Sequence, residues 1–249
     1  MKQKISAILA PVVAFVVIFL GWELIVRAMS IPQWLLPMPT EIFRSMVVDF
    51  AEYWPHILVT FETVLFGFLI AVPLGILLSC LITSNRVVSA ALSPYITFLV
   101  VTPLMTLVPL LMLMMGYGIK VRIVAVVIQS FAVVNMNACT GILNVPIIRR
   151  ELMQTLGANK LQTYSRVLLP TAATDIFTGV RLAGILATTA CISTEYVGGN
   201  TGLGSQIIKN SNFLRTTESF ACIFFVTIIG LIMYGLITFA QKKIISWKE

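Results

Sequence analysis

The chain has 249 residues, of which 58% are hydrophobic and only 11% charged, and its mean hydropathy is +0.97. Soluble domains carry about a quarter charged residues, and one soluble core cannot hide this much apolar surface, so a soluble globular fold is excluded. The formal charge of +7 would suit nucleic acid if the bases shared one solvated face; they sit at the ends of apolar runs, which points to membrane lipid and to no nucleic-acid partner.

A bilayer crossing needs about 20 apolar residues. Uncharged runs cover Ile5–Trp22, Thr63–Asn85, Val87–Ile119, Ile123–Ile148 and Ser219–Gln241, and Ile176–Thr194 holds only Arg181. The predicted helices are 5–26, 57–82, 88–115, 121–143, 176–196 and 218–241. The expectation is an all-α polytopic protein with about six crossings in one transmembrane domain, 1–249.

The first run follows Lys2 and Lys4, as a secretory signal would, but exceeds a signal core and meets no small-x-small cleavage site. A retained signal-anchor helix is expected. The loop 27–56 holds Pro32, Pro37 and Pro39 and should begin extended. Thr40 is placed to cap a short amphipathic helix with Ile42, Met46 and Phe50 on one side. A tight turn, Thr83–Arg86, leads to the third run, which Pro94, Pro103 and Pro109 interrupt. That run is longer than a tilted helix requires, so part of it is expected in the interface.

Segment 144–175 is the most informative. Asn144 is positioned to cap a helix with Pro146 in its first turn. Leu152 and Leu156 then share a face, and Gly157 permits a bend. A second short helix over 159–167 is expected to stop at Pro170, with Asp175 capping the fifth span. The segment carries Arg149, Arg150, Lys160 and Arg166. It is either a basic loop that orients the protein or a docking helix with apolar anchors for a partner.

With the N-terminus inside, the inner side receives Lys2, Lys4, Arg86, Arg149, Arg150, Lys160, Arg166, Lys242, Lys243 and Lys248. The outer side receives Arg27, Arg44, Lys120, Arg122, Lys209 and Arg215. This bias predicts both termini in the cytoplasm.

Cys80, Cys139, Cys191 and Cys222 lie in apolar runs without CxxC spacing, and His56 is the lone histidine. Helix packing is expected of the thiols, and no metal site. Gly199–Ser205 has the glycine spacing of a phosphate-binding loop but lacks its lysine, so no nucleotide site is expected in this chain. Gln129, Asn135, Asn137, Thr188, Thr189, Ser193 and Thr194 either bond between helices or line a solute path. Glu195 either holds the 198–204 loop through backbone N–H groups or forms an outer gate. Met105, Met112, Met114 and Met115 read as packing residues.

Glu151-Leu-Met-Gln-Thr-Leu-Gly157, with Pro170 thirteen residues beyond Gly157 in Val167-Leu-Leu-Pro, resembles the cytoplasmic signature of ABC importer permeases. Leu152 and Met153 stand where that signature has two alanines. Leu36-Pro-Met-Pro39, Val64–Leu69, Val72–Gly75, Thr102–Leu110 with Gly116-Tyr-Gly118, Thr178–Leu182, and Glu195 with Gly202-Leu-Gly204 are similar to the nitrate/sulfonate/taurine branch, in order over about 35–208. Met115 stands where that branch usually has an aromatic residue.

The resemblance implies the type I importer fold and a permease subunit of the bacterial cell membrane. It implies a second permease copy, cytoplasmic ATPase subunits that hold ATP and Mg, and an extracytoplasmic binding protein. The coupling residues would be Arg149, Arg150, Glu151, Leu152, Leu156, Gly157, Ala158, Leu161 and Pro170. The solute would be nitrate-, sulfonate- or taurine-like, or a thiamine precursor or riboflavin-like compound, moved by alternating access. The rival readings are a secondary transporter or channel, which calls for ionisable pairs at mid-membrane, and an intramembrane enzyme, which calls for facing catalytic groups.

Overall fold

The computed structural model describes the backbone of residues 2–245 and side chains from residue 10 onward. Lys248 and the side chains of Lys2 and Lys4 lie outside the described residues. In chain order the helices are α1 (Lys2–Ala28), α2 (Pro39–Val48), α3 (Phe50–Ser84), α4 (Arg86–Val101), α5 (Leu104–Met115) and α6 (Ile119–Leu143). Then come α7 (Ile147–Thr155), α8 (Lys160–Thr163), a π-helical turn (Tyr164–Leu168), α9 (Leu169–Gly198), α10 (Leu203–Asn212) and α11 (Thr216–Ile244). The fold is all-α. Five helices are long and apolar enough to cross a membrane, and α4 with α5, bent by 102°, is so only as a pair, which makes six crossings if the pair is one broken span.

Helix α6 is the axis of the bundle, held between α3 and α9. Lipid tails are as apolar as leucine, so close backbone approach rather than the hydrophobic effect drives such packing. A Cβ on Gly75 would meet the Phe131 carbonyl at 2.8 Å, and one on Gly179 would meet Asn137 at 2.6 Å. Ala183, Ala187 and Ala190 of α9 are buried in the same seam. Two polar side chains bond across it: Asn135 Nδ2 donates to the Gly75 carbonyl (3.2 Å) and Ser130 Oγ to the Ala183 carbonyl (3.3 Å).

Several local expectations are corrected. The third span is not one helix over 88–115. Pro103 has no N–H to donate and forces Thr102 into an extended conformation (φ −69°, ψ 122°), so the helix breaks there. The second span begins at Phe50, seven residues before the predicted start. Thr40 is not the cap of α2; Met38 holds that position, and Glu41 accepts from its N–H at 3.2 Å. The Thr40 N–H (3.3 Å) and hydroxyl (2.9 Å) donate to Glu23, buried near the end of α1. Phe50 starts α3 instead of sharing the apolar side of α2.

Asn144 ends α6, its N–H bonding the Thr140 carbonyl at 3.0 Å, and Pro146 takes the cap position of α7. Pro170 does not stop a helix. α8, the π turn and α9 run as one rod, Lys160–Gly198, 39 residues long. In the π turn the Leu169 N–H reaches back five residues to the Tyr164 carbonyl. The wider turn leaves room for the proline ring, whose missing N–H falls in the first turn of α9. Asp175 is consequently a residue inside α9, lying against Gly141, and not a cap.

The two ends of the bundle are distinct. Tyr164 Oη bonds Thr83 Oγ1 at 2.9 Å, so the 83–86 turn and the α7–α8 segment share one end. α2, α10 and the 198–204 loop share the other.

Candidate functional site

At the first end, α7 closes in a left-handed cap. The Gly157 N–H donates to the Gln154 carbonyl (3.0 Å) and the Ala158 N–H to the Met153 carbonyl (2.9 Å). This Schellman arrangement places its glycine at φ +68°, a conformation glycine takes without a Cβ penalty. Asn159 and Gln162 then cap α8 reciprocally, at 2.8 and 2.9 Å. Leu152, Leu156 and Leu161 are 58%, 70% and 77% exposed, so an apolar row stands free on the bent pair. Glu151 is also exposed, and Ala158 and Pro170 are half-buried. The two arginines turn back into the subunit: Arg149 donates to Thr171 Oγ1 (3.0 Å), and Arg150 donates to the Ile142 carbonyl at the end of α6.

Midway along the bundle, the break between α4 and α5 opens a cavity of about 240 Å³. Thr102, Pro103, Met105, Gln129, Leu186, Thr189 and Ser193 are among its walls. Non-helical backbone at membrane depth is tolerated only inside protein or against water, and three polar side chains meet it here. Asn135 and Thr188 are instead buried and bonded within the subunit, to the Gly75 and Gly184 carbonyls. Asn137 packs on Gly179 and bonds the Val133 carbonyl. Thr194 is buried and donates to the Cys191 carbonyl.

At the other end, Glu195 is fully buried. Its carboxylate accepts from the Gly204 N–H (2.7 Å), from Thr60 Oγ1 (2.9 and 3.1 Å) and from Cys191 Sγ (3.5 Å). Arg122, 6% exposed in its side chain, lies 3.7 Å away as counter-charge. Thr60 Oγ1 accepts from the Leu203 N–H (2.9 Å), and His56 Nδ1 from the Gly202 N–H (3.1 Å). Gly202, at φ +100°, has no room for a Cβ, which would fall 2.1 Å from Glu195 Oε1. The chain between α9 and α10 is thereby latched onto α3.

Residues 71–246 match the model of the family described as "Binding-protein-dependent transport system inner membrane component". The chain belongs to this family of permeases. The formylaminopyrimidine transport permease protein ThiX of Halalkalibacterium halodurans is 28% identical over all of this chain and 99% of its own length. The taurine transport system permease protein TauC of Escherichia coli is 24% identical over 91% of this chain and 85% of its own. Among solved structures, an amino acid ABC transporter chain superposes with a TM-score of 0.64 at 21% identity, covering 81% of this chain and 98% of that one. The permease therefore has the ABC importer fold and is a multi-pass membrane protein.

Of the polar residues singled out in the permease sequence, Gln129, Thr189 and Ser193 come together at the broken helix, the Ser193 hydroxyl donating to the Thr189 carbonyl (2.9 Å), whereas Asn135, Asn137, Thr188, Thr194 and Glu195 are turned to partners elsewhere in the subunit. Sequence reasoning missed Arg122, Thr60 and His56 as partners of the 195–204 region. Matching depth was the available signal: the first turn of α6 and the last turns of α9 lie at the same end of antiparallel neighbours. It also missed Tyr164, which ties the α7–α8 segment to α3.

Proposed function

We propose that the permease forms half of the translocation path of an ATP-driven, binding-protein-dependent importer, as a homodimer in the bacterial inner membrane with both termini cytoplasmic. It catalyses no reaction itself; ATP and Mg are bound by a separate ATPase pair. An extracytoplasmic binding protein delivers a small polar solute, in the range that the names of ThiX and TauC span. The observation that carries this reading is the free apolar set of Leu152, Leu156 and Leu161 on a bent pair whose second helix, α8, is continuous with the 39-residue rod Lys160–Gly198. Such a set fits a groove on a partner through a few anchors.

Closure of the ATPase pair would move α7 and α8 as near-rigid bodies. Because α8 is continuous with α9, that displacement would reach Thr189 and Ser193 at the cavity and Glu195 at the latch. The Tyr164–Thr83 bond carries the same motion to α3. The path then opens alternately to either side around the break in α4–α5, as in transporters whose discontinuous helices surround the solute.

A photo-reactive residue at position 156 in the assembled transporter should cross-link to the ATPase chain, and one at the lipid-facing position 231 of α11 should not. Cross-linking from neither position, with an intact complex, would sink the docking assignment.

A further inference from the structure

Three side chains hold the start of α10. His56 and Thr60, one turn apart on α3, accept from the N–H groups of Gly202 (3.1 Å) and Leu203 (2.9 Å), and Glu195 accepts from that of Gly204 (2.7 Å). The first N–H groups of a helix have no partner within it, so these acceptors cap α10 and fasten the loop before it. Gly198, Gly199 and Gly202 crowd into that loop, and glycine loses the most backbone freedom when it is fixed.

The three acceptors differ in what a proton does to them. The Thr60 hydroxyl does not titrate, and the Glu195 carboxylate is buried with Arg122 at 3.7 Å. His56 Nδ1 accepts through its one lone pair, which fixes the proton of the neutral ring on Nε2. A second proton, at Nδ1, turns that acceptor into a donor facing the Gly202 N–H and sets a positive charge at the positive end of α10. Among the described residues no other acceptor bonds that N–H.

The proton has a route to the ring. His56 is half-buried and lines a water-accessible cavity of about 660 Å³. The titratable and charged groups facing it there are Asp49, Glu52 and Tyr53 at the start of α3, Lys209 on α10, and Arg215 and Glu218 at the start of α11. Glu195 and Arg122 lie on the far side of Gly202.

We propose that His56 is an acid-sensitive release of the latch. One proton taken up at Nδ1 from the cavity, which is extracytoplasmic in the orientation given above, frees the Gly202 N–H, loosens the 199–204 loop from α3 and lowers the solute moved per ATP. The last step rests on the import reading; the release of the loop does not.

The test places a nitroxide at the exposed position 200 (Asn200→Cys) in the assembled transporter, the unsubstituted protein with its four native cysteines serving as blank. Between about pH 7.5 and about pH 5, which bracket the ordinary imidazole range, the mobile fraction of the label should rise about fivefold, the shift that loss of one hydrogen bond brings. His56→Asn sets Oδ1 where histidine has Nδ1 and takes up no proton in this range, so it should hold the loop at both pH values. His56→Phe has no acceptor and should leave the loop mobile at both. A transition absent from the His56 protein, or surviving in either variant, overturns the release; a surviving one belongs to Glu195 or to the carboxylates of the cavity. Solute moved per ATP hydrolysed is then read in proteoliposomes with acid on the binding-protein side. The ratio should fall with His56 and stay level with His56→Asn, a comparison that cancels any pH effect on the binding protein. A released loop with an unchanged ratio overturns the coupling role. Absence of ATP-driven transport at every pH is the failure of the import reading and takes the coupling step with it, while the label still decides the release.

Discussion

Replacing Gly157 with tryptophan should lower solute uptake by about a hundredfold while the permease still reaches the membrane. Nothing lies within 4 Å of a Cβ built at Gly157, so the subunit itself has space for the larger residue. The positive φ adds about 1 kcal/mol of backbone strain for any L-residue, too little to unfold the bundle. The indole would stand on the same exposed bend as Leu152 and Leu156, where the partner is proposed to seat. Anchors of this kind are worth about 2–4 kcal/mol each at an interface; a hundredfold is about 2.7 kcal/mol, so losing the fit of one accounts for the magnitude. Gly157→Ala is the control: it carries the strain without the bulk and should retain most uptake. Uptake assays paired with quantification of permease in isolated membranes check both. Wild-type uptake by the tryptophan variant would count against docking at this bend.

Glu195→Gln should destabilise the complex and loosen ATP hydrolysis from transport. The glutamine keeps an acceptor for Gly204 and Thr60 but leaves Arg122 buried without its counter-charge. Breaking a buried pair on one side costs about 3–5 kcal/mol. Replacing both partners, Arg122→Met with Glu195→Gln, should recover much of that loss, because no unpaired charge remains. Denaturation in detergent reads the stability, and the ratio of ATP hydrolysed to solute moved reads the coupling. If neither changes in the single variant, Glu195 is not part of the latch.

The crossings were legible because soluble folds rarely contain repeated uncharged runs of bilayer length. Their bounds were less so. Pro103 and Pro170 look alike in sequence, yet one breaks a helix and the other rides in the first turn after a widened one. The difference lies in the backbone that precedes each, which tertiary packing selects. The start of α3 was hidden by Glu52 and His56, polar residues that line a pocket with Lys209 and Asn210 of α10 at the 198–204 loop's end of the bundle. At the cavity, polarity within an apolar run pointed to α6 and α9 without telling which face each residue takes. Asn135 and Gln129 are equally polar; α3 happens to cover the first and leave the second at the cavity. The bend at Gly157 was readable because local turn chemistry alone decides it, whereas Asn159, expected inside the second short helix, is its cap. Arg149 and Arg150, which the resemblance implied as coupling residues, are both engaged by the subunit itself, and the leucines of the bend are left exposed.

This permease is expected to move solute only when another protein drives it through the α7–α8 bend. Proteoliposomes containing the permease alone, the permease with its ATPase, and both with the binding protein should be loaded with ATP and followed for accumulation of the solute that the binding protein carries. ATP-dependent accumulation confined to the complete assembly, and lost with the Gly157→Trp permease, is the predicted result. Solute uptake by the permease alone, without ATPase or ATP, would contradict it.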